Sequence, residues 1–289
     1  MHIVKKIDVL FFSYLGITTI LLLISWNQST NSMNLLLIRT GIVMAIIGLI
    51  YANSKVQSTF LNLLRNVYPV LLSMYFYSKT VFYNKFLFSD LDPYLINIEE
   101  RLFGFQPSLQ FSAYFSSNIF SEIMYIGYFS FYLLIAGFVL YLYFKKSPEF
   151  SILIFKLAAS LLLFYLIFGI FPSAGPQFFF SAVDHTPPDA YVFDKIMHFI
   201  IKNGDQPTGA FPSSHVGISI IILLLSKKSA PTFFRIAWPF VIILILSTVY
   251  IKAHYAIDAI GGIIIAPIIL YIASQLYRIP FKKSTEAIQ

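Results

Sequence analysis

The chain has 289 residues, of which 58% are hydrophobic and 11% charged, with a mean hydropathy of +0.77. Soluble domains carry roughly a quarter charged residues, so this composition excludes a soluble globular protein and predicts a polytopic all-α membrane protein with no separate soluble domain. The lack of cysteine excludes disulfides, thiolate metal sites and a cysteine nucleophile, and the net charge of +7 flanks apolar segments rather than forming a nucleic-acid-binding tract.

In chain order, apolar runs cover about 9–26, 35–52 and 60–82, with Arg39 and Arg65 near the starts of the second and third, where snorkelling is expected. The first run reads through Ser25-Trp26-Asn27 without a small-residue cleavage site, so no cleavable signal peptide is expected. The polar stretch 83–110 predicts one short interfacial helix ending at Gly104. Its acids Asp90, Asp92, Glu99 and Glu100 read as a solvated face with a helix cap, the other reading being a divalent-metal site. Further runs cover about 120–144 and 152–171, and a Pro- and Gly-rich loop, 172–213, predicts an amphipathic helix near 190–202. The last three runs are about 214–226, 234–251 and 256–277. Each run is near the ~20 residues that cross a bilayer, the sixth being short.

About eight crossings put both termini on one side. That side collects Lys5, Lys6, Lys55, Lys145, Lys146, Lys227, Lys228, Arg235, Arg278, Lys282 and Lys283. The other carries mixed charge: Lys79, Lys85, Asp90, Asp92, Asp184, Asp189, Asp194, Lys195 and Asp205. The basic side is expected to be cytoplasmic. His215, His254 and Asp258 then share the non-cytoplasmic face of what is expected to be a bacterial plasma membrane.

These three residues carry the candidate chemistry. His254 and Asp258 are four apart at a helix start, on one face, so the carboxylate can orient the imidazole. Ser213 and Ser214 can cap the helix that His215 begins, whose unpaired N–H groups suit a phosphate. One histidine can attack phosphorus while the other protonates the leaving oxygen. The plainer reading is two interfacial histidines and a capping aspartate. Glu122, Tyr125, Tyr128 and Tyr132 occupy one helix face, either lining a headgroup cavity or forming an aromatic belt. The turn at Ser173-Ala174-Gly175 either gives backbone N–H groups to phosphate or simply stops a helix. No metal or other cofactor is called for.

Phe211-Pro212-Ser213-Ser214-His215 resembles the second signature of the type 2 phosphatidic acid phosphatase superfamily, Pro-Ser-Gly-His, with Ser214 in place of glycine. Ser247-Thr248 through His254 to Asp258, followed by Gly261-Gly262, resembles the third, in which Thr248 replaces an arginine that holds phosphate. The first signature, a lysine followed by Arg-Pro, has no counterpart. In its place stands Phe171-Pro172-Ser173-Ala174-Gly175-Pro176. These departures, with the stretch from Asp92 to Gly104, resemble the inositol phosphorylceramide synthase branch, and the likeness covers about 90–262.

The resemblance implies a six-helix core in 58–289 with two extra helices in 1–57. It implies His254 as a nucleophile forming phosphohistidine, Asp258 as its stabiliser and His215 as acid then base. Lys252 is the nearest replacement for the arginine, with Lys195 and Lys202 as alternatives. The implied partners are a membrane phospholipid donor and a lipid or polyol acceptor, with no nucleic acid. A lipid phosphate or undecaprenyl pyrophosphate phosphatase is the second reading. A non-catalytic lipid transporter or binding protein is the third, though paired similar halves are not seen.

Overall fold

The computed structural model describes residues 4–28, 31–56, 58–180 and 188–280. Asp184, Lys282 and Lys283 lie outside the described residues. Twelve α-helices and no strand are found among those that are described. They are α1 (Lys6–Ile24), α2 (Ser32–Lys55), α3 (Thr59–Lys79), α4 (Asp92–Phe103), α5 (Pro107–Tyr114) and α6 (Asn118–Phe144). There follow α7 (Phe150–Ile170), a single turn α8 (Pro176–Phe179), α9 (Phe193–Gly204), α10 (Ser214–Ser229), α11 (Pro231–Tyr250) and α12 (Ala256–Arg278).

The helix ends follow local chemistry. Ser58 and Ser117 cap α3 and α6, accepting from Leu61 N and Phe120 N at 3.4 and 3.3 Å. Pro231 opens α11, where a missing N–H costs nothing. Gly104 closes α4 in the left-handed conformation, φ 76°.

Six helices, α1, α2, α6, α7, α11 and α12, are long and apolar enough to cross a membrane. This is an integral membrane protein. The expected count of eight is not reached by that measure. The 16 residues of α10 span only about 24 Å, short of a ~30 Å hydrocarbon core. Although α3 has 21 residues, Asn62, Arg65 and Asn66 make it too polar.

The core sits around α7, whose buried residues face every direction, as an all-round apolar helix requires. Against it pack α1, α3, α10 and α12, while α6 lies along α11. At one end of this bundle the start of α1 meets the end of α12: Lys6 Nζ donates to the carbonyls of Tyr277 and Ile279.

Arg39 and Arg65 do not snorkel. Both are buried, because polar partners on α1 and α2 meet them inside the bundle. Arg65 pairs with Asp8 at 2.6 Å and donates to Asn53, and Arg39 donates to Thr18 and Thr19.

Candidate active site

The site is assembled where α10 and α12 begin. The hydroxyl of Ser213 accepts from Val216 N at 3.4 Å, capping α10. The backbone N of Ser213 donates to the carbonyl of Asp258 at 2.9 Å, which ties this cap to the first turn of α12. The two backbones approach so closely that a Cβ on Gly262 would fall 2.6 Å from the Ser213 carbonyl, so the position demands glycine.

In α12 the Asp258 carboxylate caps its own helix, accepting from Tyr255 N at 2.9 Å. The same oxygen lies 3.5 Å from His254 Nδ1. That nitrogen also meets the Ala210 carbonyl at 3.0 Å. Two acceptors on one nitrogen call for a proton on Nδ1, which leaves the lone pair on Nε2. Nε2 faces His215 Nδ1 at 3.3 Å. The ring of His215 stacks on Tyr128, centroids 4.8 Å apart, and packs beside Phe131 at 4.3 Å. His254 is 4% exposed and Asp258 fully buried. The sequence-predicted trio is thus brought together, and Tyr128 with it.

Two further predicted donors meet a different anion. Ala174 N and Gly175 N each donate to the carboxylate of Asp92 at 2.8 Å, with Ser173 Oγ at 3.5 Å. The turn's backbone N–H groups are therefore occupied by a side chain of α4. Asp92 also accepts from the Tyr255 hydroxyl at 3.1 Å. From this turn the Ser173 carbonyl accepts Ala210 N at 3.1 Å, and Ala210 in turn accepts from His254. Asp92 thus positions His254 through two links. About two turns further along α4, Glu99 accepts from Ile257 N at 3.1 Å.

The expected solvated acidic face is corrected by this arrangement. Glu100 is exposed and Asp90 half-buried, but Asp92 and Glu99 are fully buried against the third signature. Burial, aided by the nearby Asp258 charge, pushes the Glu99 carboxyl up to about 7, against the pull of the backbone N–H bonds it accepts. Among the described residues no group of three or more His, Asp or Glu is placed to hold a metal ion.

Glu122 and Tyr125, read as lining a headgroup cavity or forming an aromatic belt, bond to the segment that leads into α9, and Tyr125 also lines a cavity there. The Glu122 carboxylate accepts from the N–H groups of Tyr191, Val192 and Phe193 at 3.0–3.3 Å, capping α9 as an acid at a helix N-terminus does. The Tyr125 hydroxyl donates to the Pro188 carbonyl. Lys252 is 5% exposed and left-handed, φ 64°. Lys195 is exposed on α9, and Lys202 lines a cavity of about 240 Å³ beneath that helix.

A larger cavity of about 330 Å³ opens beside the histidine pair, with His215, Ser214 and Tyr132 on its wall. Lys79 and Asp205 also line it, neither of them singled out by sequence. Burial raises the Asp205 carboxyl above its ordinary range, although a 3.0 Å hydrogen bond from Gln177 opposes this. For Asp92 and Glu99 a signal existed: with Leu95 they are spaced at three and four, one helix face.

The chain matches no curated protein and no solved structure. The family model described as the PAP2 superfamily matches residues 93–272, a stretch that holds α4 except Asp92, the Ser173 turn, both histidines and Asp258. With that match over most of its length, the chain belongs to the PAP2 superfamily and is a membrane enzyme, a phosphatase or phosphotransferase.

Proposed function

We propose that the enzyme is a lipid phosphotransferase that acts on a phosphodiester lipid through a phosphohistidine on His254, resembling inositol phosphorylceramide synthase. The observation that carries this reading is the 3.3 Å contact between His254 Nε2 and His215 Nδ1, with His254 Nδ1 held by Ala210 and Asp258. A lone pair is fixed on one ring, and an acid/base group lies beside it.

Phosphorus enters between the two rings. The Nε2–P bond forms as the P–O bond to diacylglycerol breaks, and protonated His215 gives its proton to the leaving oxygen. The neutral His215 then takes the proton of an acceptor hydroxyl, whose oxygen attacks phosphorus as the N–P bond breaks. Asp258 stabilises the charged His254 ring. Ser213, Ser214 and the start of α10 offer donors to the phosphate oxygens.

Preference for a diester is supported by what the donors near the site are bound to. The Thr248 hydroxyl, in the arginine's place, donates to the Ile245 carbonyl at 2.8 Å. The turn N–H groups are taken by Asp92. A dianionic monoester is matched by a bidentate arginine. A diester carries one charge less and asks for fewer donors. The reading includes residues 58–289 as the catalytic core with 1–57 added to it, eight crossings, no metal or cofactor, and a site on the non-cytoplasmic face of a bacterial plasma membrane. Its partners are a phospholipid donor and a lipid or polyol acceptor.

The test compares phosphatidic acid with phosphatidylinositol as donors to the purified enzyme. Transfer predicts little phosphate from the first, and diacylglycerol from the second only when a hydroxylated acceptor is present. His254→Ala lowers that turnover by several orders of magnitude while the protein stays folded. Rapid phosphate release from phosphatidic acid, unaffected by acceptor, would leave the phosphatase reading instead.

A further inference from the structure

We propose that Lys79 is the cation that meets the lipid phosphate beside the histidine pair, a role that rests on the phosphotransfer reading only for the identity of the lipid. Lys79 ends α3, outside the span 93–272 that the family model covers. Its side chain is half-buried and lines the same cavity as His215 and Ser214. The ammonium sits 5.0 Å from the centroid of Tyr75 and 5.9 Å from that of Phe82. These rings hold a cation at the wall without neutralising it. Among the described residues no carboxylate lies within ion-pair distance of it. The hydroxyl of Tyr75, on the same wall, is buried with no hydrogen-bond partner among the described residues. A cation short of a counter-charge and a polar atom short of a partner, on one cavity wall, are both satisfied by an anion with several acceptor oxygens.

The other lysines fit less well. Neither Lys252 nor Lys195 lines this cavity, and Lys202 lines the other one. An ammonium also suits the diester by charge, one positive for one negative, where a guanidinium fork suits a dianion. A cation at the last turn of α3 additionally favours the helix dipole. That role would show in the melting temperature and leave anion affinity alone.

The test measures orthovanadate affinity of the full chain in lipid nanodiscs by calorimetry, beside donor-lipid turnover and melting temperature. Lys79→Met is expected to weaken vanadate about 10- to 100-fold, the loss of one charge-assisted contact, with melting little changed. Lys79→Arg keeps most of the affinity. Lys85→Met serves as the control, since Lys85 is exposed and paired with Asp90 at 2.8 Å. Wild-type vanadate affinity in folded Lys79→Met overturns the proposal. If Lys79→Met does not fold, Lys79→Gln against Lys79→Arg makes the same comparison, and equal affinities overturn it. Should the wild type prove to be a phosphatase, the transfer reading falls while the vanadate comparison still decides the part played by Lys79.

Discussion

At His254 the two ring nitrogens face different chemistry. Nδ1 meets the Ala210 carbonyl and Asp258, and Nε2 meets His215. The carbonyl contact is shorter than the carboxylate contact, 3.0 against 3.5 Å, so the backbone at 210 matters as much to the tautomer as Asp258 does. Behind both stands Glu99, whose Oε2 and the Oδ1 of Asp258 are buried with no hydrogen-bond partner among the described residues. Raising the Glu99 pKa from 4.5 to about 7 means that the folded chain holds a proton there that the unfolded chain has already released. Stability therefore falls as pH rises from 4.5 to 7 and levels off above. Asp258 lies at the same first turn of α12, so the wild-type curve does not belong to Glu99 alone. The difference from Glu99→Gln isolates this one. Melting temperature followed across that pH range is expected to slope downward in the wild type and to flatten in Glu99→Gln. Parallel curves would show that Glu99 is already ionised throughout. The histidines and Asp258 are legible in sequence because their types and spacing are unusual beside apolar runs. The Ala210 carbonyl is not, since a backbone acceptor leaves no trace in residue identity.

Among the elements, α4 shows most clearly why the rest is not legible. A helix with Asp92, Glu99, Glu100 and Arg101 reads as a wet one, with its apolar side turned inward. Here the order is reversed: Tyr94, Ile98 and Leu102 are exposed, while Asp92 and Glu99 are buried. Lipid makes an outward apolar face cheap, and the Ser173 turn and the start of α12 supply enough N–H groups to bury two acids. The same inversion governs α1 and α3. Asp8 is fully buried, accepts from Arg65 at 2.6 Å and receives the Tyr68 hydroxyl at 3.3 Å. Removing one member of a buried pair leaves the other charge in a dry site, at about 3–5 kcal/mol, whereas replacing both by apolar groups is often neutral. Asp8→Leu and Arg65→Met are each accordingly expected to lower the melting temperature in detergent sharply. The double variant Asp8→Leu with Arg65→Met is expected to recover most of the loss. If the single and double losses simply add, the pair is not coupled and Asn53 carries the Arg65 contact.

For the whole molecule the open number is how many helices cross. Six qualify by length and composition, yet α3 runs the length of the bundle. Near its start Lys5 Nζ donates to Asn62 at 2.7 Å, close to where Lys6 meets the end of α12. Near its finish Tyr77 donates to the Thr208 carbonyl at 3.1 Å, in the loop that leads to Ser213. At ~1.5 Å per residue its 21 residues cover about 32 Å, the thickness of a hydrocarbon core. Arg65 and Asn66, which lower its hydropathy, are buried against α1, α2 and α7 and never reach lipid. The proposed count of eight therefore treats α3 as a span whose polar residues face protein, a kind that hydropathy undercounts. On the proposed count of eight, α10 passes between the site and Lys227-Lys228, and the positive-inside rule would make the lysine-rich side cytoplasmic. The cysteine-free chain allows a clean check. Asn203→Cys, on the site side, is expected to react with a membrane-impermeant maleimide in intact cells. Lys228→Cys, at the far end of α10, is expected to react only after the membrane is opened. The opposite pattern would put the histidine pair in the cytoplasm and require a donor lipid presented from the inner leaflet. Labelling at both positions in intact cells would mean that α10 does not cross, and the count would fall to an arrangement in which the site loop and Lys228 share one face.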